Sequence, residues 1–324
     1  MIPFCSTAAE PPLPPVVIVA GPTGSGKSRL ALDLADAFEG VIVNADSMQV
    51  YRELCVLVAR PSLEDEARLP HRLYAVLTAA ERCSVARWLG LAWAAIEDAW
   101  GAQRLPIVAG GTGLYLKALT EGLAAVPPVP GDVRAEVQAL YEQLGRERFR
   151  RELARIDACA AARIEPGDRQ RLLRAFEVAR ATGRTLGDWQ HQHPVPAPRA
   201  RFTTLVLLPP RQSLYPALDA RFERMLEAGA LTEVEALLAM NLDPSLPAMK
   251  ALGVRELAAH LHGEATLAAA AALAKQSTRR FAKRQITWLR HQTTADLVIN
   301  AQYSERLRPE IFAFIRQSLL TPAA

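Results

Sequence analysis

The segment Gly21-Pro-Thr-Gly-Ser-Gly-Lys-Ser28 fits G-x-x-x-x-G-K-S, the phosphate-binding P-loop pattern. Before it runs Val16-Val-Ile-Val-Ala20, a β-branched stretch suited to a buried parallel strand. After it runs Arg29-Leu-Ala-Leu-Asp-Leu-Ala-Asp-Ala-Phe38, good helix formers with apolar residues at helical spacing. Strand, glycine-rich turn and helix in that order predict an α/β fold, a parallel sheet flanked by helices. The glycines Gly21, Gly24 and Gly26 let the backbone wrap around an anion and aim its N–H groups inward. Pro22, Thr23 and Ser25 complete the loop. The helix N-terminus adds a partial positive charge. Lys27 has the length to reach an outer phosphate, and the Ser28 hydroxyl suits Mg²⁺. The loop therefore predicts a diphosphate or polyphosphate site, without saying which or what is done with it.

The 324-residue chain has room for one large α/β domain and a smaller one. Lys+Arg 38 against Asp+Glu 34 leaves +4, too little by itself to argue for nucleic acid. Cys5, Cys55, Cys83 and Cys159 are far apart with no C-x-x-C, the usage of reduced thiols in a cytoplasmic protein. No long apolar run predicts a membrane span. Residues 1–15 are Pro-rich, lack the basic start and apolar centre of a signal peptide, and read as a disordered leader.

Val41-Ile-Val-Asn-Ala45 is a second strand candidate and ends in Asp46-Ser-Met-Gln-Val-Tyr-Arg52. Ligands of open α/β sheets sit beyond the carboxyl ends of strands, so Asp46 is either a catalytic carboxylate facing the P-loop or the cap of the next turn. Residues 53–80 read as loops with a short helix, and His71 within them is a lone loop histidine. Residues 84–100 read as a helix capped by Ser84, with Trp88, Trp93 and Trp100 in the core. A third strand, Leu105-Pro-Ile-Val-Ala109, closes in Gly110-Gly-Thr-Gly113. This second glycine-rich turn brings N–H groups and the Thr112 hydroxyl to the same sheet edge.

Val126-Pro-Pro-Val-Pro130 is a stiff boundary. Helices at 132–144, 147–156 and 168–182 follow, with no strand-like run among them. In the last, Arg169, Arg171, Arg174 and Arg180 face only Asp168 and Glu177 in sequence, which tilts the reading toward contact with an anion. Strand character returns at Phe202–Leu208 after a Pro-rich linker, His191–Pro198. The domain reading is a core of residues 16–128 and 200–324 interrupted by a helical insertion, 129–199. From Ser213 on, the chain reads as helical. Its most basic stretch, 274–290, holds Lys275, Arg279, Arg280, Lys283, Arg284 and Arg290 without an acid. Such a helix either turns cations to a phosphate backbone or pairs them with acids elsewhere.

These segments together resemble the tRNA dimethylallyltransferase family. The resemblance rests on G-P-T-G-S-G-K-S at 21–28, N-A-D-S-M-Q-V-Y-R at 44–52, P-H-R-L at 70–73 and G-G-T-G-L-Y-L-K-A-L at 110–119. It continues with G-D-R-Q-R-L-L-R-A-F-E-V at 167–178, R-F-E-R-M-L-E-A-G at 221–229, M-K-A-L-G-V-R-E at 249–256 and T-R-R-F-A-K-R-Q-I-T-W-L-R at 278–290. The chain departs from it at Cys55-Val-Leu-Val-Ala-Arg-Pro61, where the family has Asp-Ile-Gly-Thr-Ala-Lys-Pro. It departs again at His71-Arg-Leu-Tyr-Ala75, where the family has His-His-Leu-Ile-Asp.

The resemblance implies a P-loop NTPase-like fold with a helical insertion. It implies transfer of a dimethylallyl group from its diphosphate to N6 of adenosine 37 of tRNA, beside the anticodon, with Mg²⁺ assisting. It assigns the diphosphate to residues 21–28, Lys27 and Arg221, and the metal to Ser28. It makes Asp46 the base that accepts the amine proton and Thr112 an orienting hydroxyl. Ser47, Met48 and Gln49 then line the pocket of an extruded base. It places tRNA against Asp46, Thr112, Arg134, Gln170, Arg171, Leu172, Leu173 and Arg174. Further tRNA contacts are implied for Lys250, Ala251, Leu252, Gly253, Val254 and Arg255, and for Lys283, Arg284, Gln285, Ile286, Thr287, Trp288, Leu289 and Arg290. A monomer is expected. A small-molecule kinase explains residues 16–28 equally well but leaves the basic helix idle. A non-catalytic RNA binder with a relic P-loop is the third reading.

Overall fold

The computed structural model describes residues 13–191 and 199–320; most of the expected leader and of the second Pro-rich linker, with Cys5, lies outside them. In chain order the elements begin with β1 (Pro15–Ala20), α1 (Lys27–Ala37), β2 (Gly40–Asn44), α2 (Leu63–Arg68), β3 (His71–Arg72), α3 (Val85–Gly101), β4 (Leu105–Gly110) and α4 (Gly113–Glu121). Four helices follow: α5 (Gly131–Ile156), α6 (Ala158–Arg163), α7 (Arg169–Thr182) and α8 (Leu186–His191). The chain then runs through β5 (Arg201–Leu207), α9 (Arg211–Glu227), α10 (Ala230–Ala239), α11 (Val254–Leu261), α12 (Leu267–Gln292), β6 (Leu297–Ile299) and α13 (Arg308–Leu320). It divides into two compact units, Met1–Thr120 with Pro198–Ala324, and Glu121–Ala197.

In the larger unit all strands are parallel, in the order β3-β2-β4-β1-β5-β6. The alternation of side chains along each strand splits the core in two. Val17, Val19, Ile42, Ile107, Leu205 and Leu207 pack with Leu30 and Leu34 of α1 and Ile311 and Ile315 of α13. The opposite face is covered by α3 over β2 and β4, where Trp88 is fully buried and Trp93 nearly so. Trp100 is half-buried, its indole donating to Pro15 O at 3.0 Å.

Two strands were not legible in sequence. β3 and β6 are so short that no alternation develops, and β6 overturns the expectation that the chain is helical throughout after Ser213. Both are edge strands, defined by their partners: β6 pairs with Leu205–Leu207 of β5, and β3 with Ile42 and Val43.

The smaller unit packs α5, α6 and α7 around Val137, Phe149, Leu153, Ala160, Ile164, Leu172 and Ala175. The two helices that the sequence suggested here are the two halves of α5, parted by a kink at Gly145, whose φ of 69° and ψ of 170° are not helical. Beyond Gly145, Phe149 meets Tyr141 and Phe176, with ring centroids 5.1 and 4.9 Å apart. Asp168 lies outside α7 as its N-cap, accepting from Arg171 N.

Candidate active site

The strand order brings the relevant segments to one edge. β1 lies between β4 and β5, and β2 lies beyond β4. The carboxyl ends of β2, β4 and β1 therefore deliver, side by side, Asp46, the Gly110–Gly113 turn and the P-loop. β5 leads through Pro209 and Pro210 into α9, which carries Arg221.

The P-loop joins β1 to α1 with Gly24 and Gly26 at φ of 78° and 87°. It is held from outside by the segment after β6: Gln302 Nε2 donates to Gly24 O and Tyr303 N to Ser25 O, each at 2.9 Å. The Tyr303 hydroxyl in turn donates to Asp33 Oδ2 in α1 at 2.6 Å. Thr23 N and Ser25 N are taken up by Gln285 Oε1 and Pro22 O at 2.9 and 3.2 Å, which leaves the N–H groups nearer the start of α1 for a ligand. Lys27 is half-buried, and its ammonium donates to Pro22 O over 3.5 Å. Burial pushes its pKa down to about 8, the Asp46 carboxylate opposing and the Arg221 guanidinium adding to the shift. Arg221 is also lowered by burial, with Asp46 again opposing. Two cations and one carboxylate thus act on one another in one half-buried space, and an incoming anion relieves the strain on both cations. Arg221 Nη1 donates to Thr23 Oγ1 at 3.1 Å, which ties α9 to the loop.

Asp46 caps its own turn, and its carboxylate acts electrostatically on Lys27 and Arg221. Its Oδ1 accepts from Met48 N at 2.9 Å. The Asn44 side chain accepts from Asp46 N at 2.8 Å and donates to Asp46 O and Leu73 O, each at 3.0 Å. Asn44 O in turn accepts from Trp88 Nε1 at 2.8 Å. The Thr112 hydroxyl accepts from Ser47 N at 3.0 Å and lies 3.4 Å from Ser47 Oγ. Thr112 N donates to Ala45 O at 3.2 Å. Backbone and carboxylate of Asp46 are therefore fixed from several sides, with Oδ2 bonded to no described residue. The Tyr74 phenol is held well above its ordinary pKa by burial and by Asp46, so it stays neutral.

The departure at 55–61 is accommodated by backbone. Cys55, Val56 and Leu57 donate their N–H groups to the Glu233 carboxylate at 2.7, 2.7 and 3.0 Å. The Gln49 amide donates to Val58 O and Ala59 O, each at 2.9 Å. The loop needs no particular side chain at 55–59 for any of these bonds. Gln49 is thus partly occupied in structure, while Ser47 and Met48 stand half-buried beside Asp46. His71 is a β3 residue whose Nδ1 lies 2.9 Å from Leu69 O, and it packs edge-on to Tyr74.

The basic helix splits into two kinds of cation. Lys275 and Arg279 pair with Glu223 and Asp219 of α9, so these are structural. Arg280, Lys283, Arg284 and Arg290 are exposed and have no acidic partner among the described residues. With Thr287 they recur at three- and four-residue spacing along one side of α12. Lys250 and Arg255 are also exposed in this unit. Several residues of the expected RNA stretches are withdrawn into the core: Ala251, Val254, Ile286, Leu289 and Gln285 here, and Leu172 in the smaller unit, are each at most 6 % exposed. Their stretches can offer RNA only the intervening residues. In the smaller unit Arg134, Gln170 and Arg171 are exposed and Leu173 and Arg174 half-buried. Arg169, Arg171 and Arg174 each meet a carboxylate there, of Glu142, Asp168 and Glu177. That corrects the apparent cation excess of α7, because Glu142 arrives from α5. Cys55, Cys83 and Cys159 are free. No described helix is long and apolar enough to cross a membrane.

The family model described as IPP transferase matches residues 49–292. A tRNA dimethylallyltransferase of Rhodospirillum centenum is 60 % identical over 282 residues, 87 % of this chain and 90 % of the relative. One of Rhodospirillum rubrum is 52 % identical over 98 % of both chains. The crystal structure of the full-length tRNA isopentenylpyrophosphate transferase of Bacillus halodurans superposes with a TM-score of 0.68 at 29 % identity, over 94 % of this chain and 96 % of that one. These relatives favour prenyl transfer over the small-molecule kinase. A P-loop turn and a fixed carboxylate at one sheet edge, in a chain whose relatives match most of its length, lead to one conclusion: this chain belongs to the IPP transferase family, the tRNA dimethylallyltransferases.

Proposed function

We propose that the chain transfers a dimethylallyl group from dimethylallyl diphosphate to N6 of adenosine 37, in the anticodon stem-loop of tRNA, acting as a cytoplasmic monomer. The observation that carries this reading is the gathering at one sheet edge of Lys27 after β1, Asp46 after β2 and Arg221 of α9, close enough for the charges to act on one another. The loop N–H groups, Lys27 and Arg221 take the diphosphate. As the bond between C1 and the diphosphate oxygen breaks, its electron pair and negative charge pass to the oxygen that these groups stabilise. The N6 lone pair forms the new bond to C1, and the proton leaves N6 for the free oxygen of Asp46. The adenine amine is a weak nucleophile because its lone pair is delocalised, so loss of that proton in the transition state is what Asp46 contributes. Thr112, fixed against Ser47, orients the amine edge. The base must leave its stack to arrive there. The exposed cations of α12 grip phosphates and shape rather than sequence.

Mg²⁺ fits this donor set. Among the described residues no cluster of three His, Cys, Asp or Glu side chains is available to hold a metal. The protein's share in holding the ion would be small, because magnesium commonly keeps water and phosphate ligands rather than an all-protein cage. The Ser28 hydroxyl, exposed and bonded to no described residue, is what the loop supplies. When bound, the ion neutralises charge on the leaving group.

The test is tRNA lacking the modification, incubated with the protein and dimethylallyl diphosphate, with nucleosides then analysed by mass. A gain of one dimethylallyl group on adenosine 37 is expected, and its loss in Asp46→Ala. Full transfer by Asp46→Ala removes the base role. No transfer by the wild type to any tRNA overturns the reading.

A further inference from the structure

Gln285 sits on the buried side of α12 at 6 % exposure, between two cationic residues that face solvent, Lys283 and Arg284, and the exposed Thr287. Its side-chain amide is satisfied at both ends. Oε1 accepts from Thr23 N of the P-loop at 2.9 Å, and Nε2 donates to Gly111 O of the second glycine-rich turn at 2.9 Å. Thr23 requires an acceptor and Gly111 O a donor, so turning the amide over would break both bonds.

Each contact continues toward the chemistry. Thr23 Oγ1 is the acceptor for Arg221 at 3.1 Å. Gly111 is followed by Thr112, whose hydroxyl accepts from Ser47 N beside Asp46 at 3.0 Å. One buried amide therefore joins the cation side of the site to the carboxylate side. The turn is shaped around it: a Cβ on Gly111 would lie 2.2 Å from Gln285 Nε2. Next along the helix, Trp288 occupies the space a Cβ on Gly113 would need, 2.0 Å from its Cδ1. A buried amide is costly unless both of its ends are paired, so an apolar side chain would fill this place more simply if filling were its task.

We propose that Gln285 is a positioning residue of the transfer reaction, setting the P-loop against the Asp46–Thr112 pair, and that it does not touch tRNA although its stretch of α12 does. This deepens the functional reading above and rests on it.

The experiment compares wild type, Gln285→Met, which keeps the bulk and loses both bonds, and Gln285→Glu, which keeps only the acceptor for Thr23. Inorganic diphosphate affinity, tRNA affinity and steady-state transfer are measured for each, with thermal melting as the folding control. The expected result is a kcat lowered about 10- to 100-fold, the scale of a misplaced reacting pair, with weaker diphosphate binding and tRNA affinity within about twofold. If Gln285→Met does not fold, Gln285→Glu decides by the same readouts. A tenfold loss of tRNA affinity with diphosphate binding intact would make Gln285 an RNA contact and overturn the proposal, as would three unchanged constants. If the wild type transfers nothing, the functional reading fails on its own, and the diphosphate titration still decides whether Gln285 orders the loop.

Discussion

Two glycine-rich strand-to-helix turns lie on adjacent strands of this sheet, residues 21–28 after β1 and 110–113 after β4. In composition they look alike, and both could be taken for anion cradles. The structure separates them. In the first turn Gly24 and Gly26 adopt the left-handed conformation that such wrapping demands, the Ser28 side chain is exposed and Lys27 is half-buried. In the second, glycine makes room for neighbours. Gly111 and Gly113 have negative or extended φ, and the absent side chains are replaced by Gln285 and Trp288 of α12. Only the Thr112 hydroxyl of that turn looks toward the site. In the proposed reading the first turn receives a ligand, while the second receives a helix.

The largest effect expected from this contrast is on the first turn. Lys27→Ala removes a charge aimed at the leaving diphosphate and should lower kcat/KM for the donor by about 10²–10³-fold. The melting temperature should hardly move, because the Lys27 ammonium makes only one long hydrogen bond with the described residues. A variant with near-normal kcat/KM would show that the loop is not the leaving-group site. On the second turn the balance should invert. Gly113→Ala drives a methyl into the Trp288 indole, 2.0 Å from Cδ1, and overpacking of this kind costs about 1–3 kcal/mol. Chemical denaturation should show that loss. Stability equal to wild type, with diphosphate binding abolished, would mean that the second turn also serves the anion directly.

How far the sequence discloses this differs between the two turns for a physical reason. The P-loop is legible because its chemistry is local: strand, loop, lysine and helix are contiguous. Asp46 and Thr112 could be placed at the right sheet edge because strand ends are local too. The support of the second turn comes from residues more than a hundred positions away, and no spacing rule connects Gly111 to Gln285. The same holds for Glu233, whose carboxylate gathers three backbone N–H groups of residues 55–57. For that reason the unfamiliar sequence of that loop says little about its shape. Within the basic helix, charge was legible but partnership was not. Lys275 and Arg279 differ from Lys283 and Arg284 only through what α9 sets opposite them.

A smaller effect sharpens the claim that the first turn awaits an anion. With its pKa at about 8, Lys27 carries its charge below that pH and loses it above. Diphosphate affinity should therefore be highest near pH 7 and fall as pH rises through 8, by roughly tenfold per unit once Lys27 is neutral. The sign follows from Lys27 being cationic in its protonated form. Bound anion raises its pKa, and proton uptake on binding at pH 8 to 9 should be visible by calorimetry in buffers of different ionisation enthalpy. Lys27→Arg keeps its charge throughout and should flatten the dependence over this range. A wild-type affinity that stays level, or rises, between pH 7 and 9 would remove Lys27 from the anion site.

The smallest effect concerns the helix that the second turn receives. α12 turns Gln285 and Trp288 inward and Lys283 and Arg284 outward, so its two sides should separate experimentally. Lys283→Ala should weaken tRNA binding a few-fold and reduce the slope of log affinity against log salt by about 0.7–0.9, the counterion yield of one phosphate contact. Diphosphate affinity should be unchanged. Arg279→Ala is the internal comparison, because its guanidinium already pairs with Asp219 at 2.6 Å. Losing that pair should leave the salt slope alone and disturb instead the seating of α9, which carries Arg221, and hence the KM of the prenyl donor. If Arg279→Ala lowers the slope as much as Lys283→Ala does, the ion pair opens to RNA and the division of α12 into an inner and an outer side fails.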